Sequence, residues 1–370
     1  MEFKVPFVGY KTQYQNLKKE LNSTFQDVMS RGDFILREDL RRFENNIATY
    51  LGVEHAIGVH NGTDALYLSV PAAGIGAGDE VITVAHTFLA TVAAIVKCGA
   101  TPVLVDVGND YNMDMGKLEE VITPKTKAVL PVHLNGRCCD MGKLMNIARK
   151  HDLIVIEDAA QALGASYNGK KAGSFGLLNC FSFYPAKMLG TAGDGGMVTT
   201  NNAELAKTLR AWRDNGRITG QDEVMCFGYN TRLDNLHAAL LNVKFQYLPR
   251  WIKRRRQIAS MYQQGLSALS QIELPPSPTE KGPFFDVYQN YVIRSQERDK
   301  LTNYLRDDGV ETIISWHIPM HHQKALGLSH FHLPETESIS REVISLPMYP
   351  ELSDDKVEYV IKSIHQFYKK

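Results

Sequence analysis

Four stretches of this 370-residue chain combine reactive side chains with glycines or apolar runs able to hold them, and none decides alone. Lys187 lies in Phe181-Ser182-Phe183-Tyr184-Pro185-Ala186-Lys187-Met188-Leu189-Gly190, followed by Gly193-Asp194-Gly195-Gly196. Its neighbours are aromatics and glycines rather than acids. Desolvation there would lower the pKa of the amine and free it for imine formation. Ser182 offers a hydroxyl to a phosphate oxygen. Asp158, in Ile156-Glu157-Asp158-Ala159-Ala160-Gln161, follows the apolar run 153–156. A carboxylate in that place could bind a metal, move a proton, cap a helix or pair with a cation. No His or Cys ligand set lies nearby in sequence, which disfavours a metal. A pyridinium nitrogen fits, because the carboxylate keeps such a ring protonated and electron-withdrawing.

The third stretch is His60-Asn61-Gly62-Thr63-Asp64-Ala65-Leu66. A strand ends at His60, Gly62 permits a tight turn, and Thr63 or Asp64 opens a helix. The free N–H groups and dipole of that helix end suit a phosphate, with a plain N-cap as the alternative. The fourth, Phe227-Gly228-Tyr229-Asn230-Thr231-Arg232-Leu233-Asp234, reads by itself as a polar turn and helix cap.

The elements that must position these residues follow from the hydrophobic pattern. Short apolar, β-branched runs at 56–60, 81–84, 102–107, 128–134, 153–156, 180–183 and 197–200 read as strands. Segments with helical spacing at 65–70, 87–97, 141–151 and 203–212 separate most of them. This α/β alternation implies a largely parallel sheet covered on both faces, with ligands beyond the carboxyl ends of its strands. A long helical stretch at 236–263 and a Pro- and Gly-rich segment at 274–285 lead into a smaller α+β part, with 287–294 and 312–316 as strand candidates. We expect a large domain over 1–245, N-terminal segment included, and a small one over 246–370.

Composition narrows the function classes. Lys plus Arg and Asp plus Glu number 41 each, so no excess charge draws the chain to nucleic acid or a bilayer. The basic run 253–256 reads as a solvated helix face. Cys98, Cys138, Cys139, Cys180 and Cys226 show no metal-finger or CxxC spacing, which suggests reduced thiols and a cytoplasmic protein. Residues 1–10 lack the apolar core of a signal peptide, and no run approaches the roughly 20 apolar residues of a membrane span. The sequons at Asn22 and Asn61 therefore read as accidental. A nicotinamide dehydrogenase is rejected, since Gly74-Ile75-Gly76-Ala77-Gly78 does not follow a strand in GxGxxG register.

The ordered set NGTDAL, AHTFLAT, VHLNGRCCDM, IEDAAQALGA, FSFYPAKMLGTAGDGG, GYNTRLDNLHAAL and LPMYPEL resembles the DegT/DnrJ/EryC1/StrS family of sugar aminotransferases, from about residue 34 to 352. The resemblance implies the fold-type I architecture of pyridoxal-phosphate (PLP) enzymes. The PLP cofactor would pass through its pyridoxamine form, PMP. Lys187 would be the Schiff-base lysine, Asp158 the partner of the pyridine nitrogen, and Gln161 the neighbour of the ring hydroxyl. Phe88 would stack on the ring instead of filling a core, while Gly62, Thr63 and Ser182 would hold the phosphate. Asn230 would reach the phosphate of the neighbouring subunit, making the site a shared feature of a homodimer. Tyr184 and His321 match positions that line the sugar site in relatives.

The resemblance further implies amino transfer, from glutamate as donor, to a keto nucleotide-sugar for amino-sugar and polysaccharide biosynthesis. The surround of the lysine is similar to members that aminate C3 rather than C4. A sugar dehydratase and a non-catalytic PLP-binding regulator are the rivals, and the intact Lys187, Asp158 and Gln161 argue against both. Three departures from the family pattern, Arg37, Asn135 and Trp316-His317, bear on the sugar and not on the cofactor.

Overall fold

The structure is a computed structural model that describes residues 3–217, 223–279 and 281–369. Its centre is a seven-stranded sheet, ordered His55–Val59, Gly196–Thr200, Leu178–Ser182, Ile154–Asp158, Thr126–Val129, Glu80–Val84 and Thr101–Val105. Gly196–Thr200 runs antiparallel to both its neighbours, and every other pairing is parallel. Consecutive strand residues feed opposite cores: Val81, Ala128, Ile156, Cys180 and Val198 pack on one face, and Ile82, Val129, Val155, Phe181 and Met197 on the other. Burial on both faces explains why these strands read as continuous apolar runs and not as alternating ones.

One face is covered by the helices Gly62–Ala72, Leu89–Lys97 and Ala203–Trp212, the other by Glu38–Leu51, Met141–Lys150 and Asn235–Phe245. The strands that point the same way deliver Asn61, Phe88, Asp158 and Ser182 to one end of the sheet. Parallel strands need return helices, and each helix start lands beside a strand end.

A second core gathers Val5, Ile258, Tyr262, Tyr291, Leu301, Ile344, Val357 and Ile364 around an antiparallel sheet of Ile272–Glu273, Tyr291–Ser295 and Val343–Leu346. Three expectations change here. The long helical stretch is two helices, Asn235–Phe245 and Leu248–Leu266, with Pro249 in the first turn of the second, where its missing N–H costs nothing. The strand expected at 312–316 is reduced to one bridge, Ile313 to Ser345. The basic run is not a solvated face either. Arg255 and Arg256 are buried, and Arg255 donates to the carbonyls of Tyr288, Gln289 and Met348 at 2.9–3.1 Å.

Candidate active site

A cavity of about 580 Å³ opens at the carboxyl end of the large sheet, within the usual span for small-molecule sites. Gly62, Thr63, Phe88, Asp158, Gln161, Ser182, Tyr184 and Lys187 all line it, joined by Thr87, Asp194 and Trp316. Eight of the expected site residues are thus brought together from four separate segments. Their placement follows from local structure. Asn61 caps the helix Gly62–Ala72 by accepting from the Asp64 N–H at 2.7 Å. The Gly62 and Thr63 amides of the first turn are left without a helical acceptor, facing the cavity. Gly62 is required by close approach, since a Cβ there would sit 2.8 Å from the Cβ of Ser182.

Asp158 ends its strand fully buried. Oδ2 accepts from the Thr91 hydroxyl at 2.8 Å, Oδ1 from the Ala160 N–H at 3.2 Å, and Thr91 is itself bonded to Thr87 at 2.9 Å. Burial pushes this carboxyl above the ordinary value, against the opposing pull of Thr91, the Ala160 amide and the Lys187 charge. Among the described residues it has no ion-pair partner, so a cation inside the cavity would relieve it. Behind it, the Glu157 carboxylate accepts from the Gly173, Phe175 and Gly176 amides at 2.6–2.7 Å and meets His133 Nε2 at 2.6 Å. His133 Nδ1 accepts from the Cys139 N–H at 3.1 Å, which leaves the proton on Nε2.

Lys187 sits in a turn closed by its own N–H to the Tyr184 carbonyl at 2.8 Å. Gln289 and Lys244 brace that turn by donating to the carbonyls of Ala186 and Gly190, each at 2.7 Å. Desolvation lowers the lysine pKa, with Asp158 opposing. Gln161 accepts the Asn135 N–H at 2.9 Å through Oε1, which leaves its amide hydrogens for the cavity. Phe88 is 61% exposed on the cavity side, which is no place for a core aromatic. Trp316 meets the buried His86 edge-on at 5.4 Å, and burial pushes that imidazole down to about 4, keeping it neutral.

Two expected residues lie outside the wall. Asn230 is exposed and forms an antiparallel bridge with Asp214. His321 is buried with Nε2 at 3.4 Å from Glu337, turned away because the turn Met320–His322 is tied by the Met320 N–H to the Ala85 carbonyl. Of the departures, Trp316 reaches the cavity, Asn135 supports Gln161 from behind, and Arg37 is exposed at the start of Glu38–Leu51. Thr87 and Thr91 received no role from the sequence. Thr91 lies on the helix Leu89–Lys97 and Thr87 just before its N-cap, and nothing in the sequence marked the pair as partners of Asp158.

The chain matches the model of the DegT/DnrJ/EryC1/StrS aminotransferase family over residues 15–365. It is 42% identical to a "Pleiotropic regulatory protein" of Geobacillus stearothermophilus, over 99% of both chains. It is 40% identical to a UDP-N-acetyl-3-dehydro-alpha-D-glucosamine 3-aminotransferase of Acidithiobacillus ferrooxidans, over 98% of this chain and 97% of that one. Among solved structures, DesV of S. venezuelae in complex with a ketimine intermediate superposes with a TM-score of 0.95 at 37% identity, covering all of both chains. A cavity that joins a desolvated lysine to a buried carboxylate, found in a chain matched over nearly its full length, places this protein in the DegT/DnrJ/EryC1/StrS aminotransferase family.

Proposed function

We propose that the chain is a PLP-dependent aminotransferase that moves an amino group from glutamate to the keto carbon of a nucleotide-linked sugar, with C3 favoured. The observation that carries this is the pairing of the desolvated Lys187 with the buried, cation-free Asp158 across one cavity. The residues present fit the cofactor: Gly62, Thr63 and Ser182 for its phosphate, Asp158 for its ring nitrogen, Gln161 for its hydroxyl and Phe88 for its ring face. When bound, the cofactor supplies a carbonyl that accepts amines and a ring that withdraws electrons.

The rest is the work of this chain. Lys187 Nζ, its pKa lowered by desolvation, makes and releases the covalent link. Once free, it takes the α-proton of the donor and later returns a proton to the sugar carbon. Asp158 keeps a positive charge in the cavity, and Thr91 keeps Asp158 pointed at it. Tyr184 and Trp316 stand at the mouth, where the sugar enters.

Among the described residues, the carboxylates and amines on the cavity wall are Asp158, Asp194 and Lys187, so an anionic donor needs cations from beyond this lining. A homodimer with shared sites meets that need. Val224, Met225, Phe227 and Tyr229 are exposed beside Asn230, and so much apolar surface calls for a covering partner. The free cysteines fit a cytoplasmic setting.

The purified protein should show a visible absorption band that glutamate bleaches and Lys187→Ala removes. Incubation with nucleotide-linked 3-keto sugars generated in situ should yield amino sugar, and 4-keto sugars should yield less. A band unmoved by glutamate, with no amino sugar formed, would favour the second reading. That reading, a cofactor-bearing regulator, draws on the Geobacillus relative, which is called a pleiotropic regulatory protein.

A further inference from the structure

Near the cavity, but outside it, three imidazoles converge on one carboxylate oxygen. His321 Nε2 lies 3.4 Å from Glu337 Oε1, His322 Nε2 3.8 Å, and His332 Nδ1 3.7 Å. Donor atoms of His321, His322 and Glu337 all fall within 4.8 Å of one another. These separations are long for hydrogen bonds, whose N···O distance is about 2.7–3.2 Å. The shortest equals, and the others exceed by a few tenths of an ångström, the edge of a zinc tetrahedron, where bonds of about 2.0–2.1 Å place neighbouring ligand atoms about 3.4 Å apart. The His321 side chain is fully buried, so the Nε2 it turns toward Glu337 is held in place by its surroundings.

The backbone around the cluster is already fixed. Glu337 stands on the helix Pro334–Glu342, whose first turn is held by Asp106 through the Thr336 N–H and hydroxyl, both at 2.8 Å, and the Glu335 N–H at 3.0 Å. Met320, Leu328 and Leu333 pack on Ala85, Val92 and Leu104 at the edge of the large sheet. We propose that His321, His322 and Glu337 form a binding site for a borderline divalent cation such as Zn²⁺. The exposed His332 swings in as fourth ligand or leaves that position to water. Two imidazoles and a carboxylate suit zinc better than the hard, all-oxygen demand of Mg²⁺ or Ca²⁺. The ion would staple the turn Met320–His322 to the helix Pro334–Glu342, a few residues from Trp316 at the cavity mouth. This inference stands apart from the proposed amino transfer, because none of the three ligands lines the cofactor cavity.

The test is zinc titration of the full-length holoprotein after chelator treatment, read by calorimetry and by metal content. One Zn²⁺ per chain is expected, with affinity falling at least about tenfold in Glu337→Gln and in His322→Ala, the scale on which even outer-shell partners matter. His330→Ala and His317→Ala serve as controls and should bind as the parent does. Both ligand changes are mild, and circular dichroism checks that each variant is folded. Should a ligand change unfold the chain, Co²⁺ added to the parent provides the readout, with tetrahedral d–d bands expected. No stoichiometric zinc, zinc binding indifferent to His322 and Glu337, or octahedral cobalt would each overturn the proposal.

Discussion

Asp158 meets the cavity through a run of hydroxyls, Thr87 to Thr91 to carboxylate, and that run sets how the carboxylate faces a cation. Thr91→Val keeps the volume and removes the donor. A hydrogen bond to a charged group is worth about 1.5–3 kcal/mol, so kcat/KM should fall roughly 10–100-fold. Thr91→Ser should recover most of it. Asp158 also predicts a pH effect. Its folded-state pKa is raised, so its contribution to stability is present below the unfolded value of 3.8 and lost as pH climbs through the folded one. Ionising Asp158 in the cofactor-free protein therefore costs stability, because it places a charge in a buried site. Thermal unfolding should show cofactor-free Asp158→Asn gaining on the parent as pH rises, by about 1–2 °C per kcal/mol relieved in a chain of this length, with that advantage vanishing at acid pH. The holoenzyme should lose activity with the same substitution.

At the scale of elements, the strand ends build the site, and the helix Gly62–Ala72 sets its tightest clearance. Gly62→Ala drives a Cβ into Ser182 and should cost about 1–3 kcal/mol of stability while weakening cofactor binding, measured by titrating the stripped protein with PLP. Most of these elements were legible in the sequence because doubly buried strands are uninterrupted apolar runs and their return helices have regular spacing. Residues 312–316 misled for the same reason, being apolar enough for a strand but lacking a continuous partner beyond Ser345. Asp158 and Ser182 could be placed because each ends a strand, and Lys187 because it lies in the turn that follows one. His321 could not, since the pull of Glu337, sixteen residues on, is a tertiary effect. The burial of Arg255 and Arg256 was equally hidden, because their acceptors are main-chain carbonyls that carry no sequence signature.

For the whole molecule, the shared-site homodimer is open to a complementation test. Lys187→Ala and Asn230→Ala chains, each impaired alone, should regain activity when unfolded together and refolded. Random pairing under two-fold symmetry leaves about one site in four with both residues intact. No recovery, with mixed dimers confirmed by mass, would remove Asn230 from the partner's site. The proposed division at residue 245 falls just before the helix Leu248–Leu266, and that helix belongs to both cores. Leu248, Trp251 and Ile252 pack with the large sheet, while Ile258, Ala259, Tyr262 and Leu266 pack with the small one. Val5 adds a second tie, since a residue from the very start of the chain bridges to Val310. A rod embedded at both ends transmits the loss of either core to the other. Heating should accordingly give one cooperative transition, with the turn around Lys187 losing its order in the same step as the C-terminal helices.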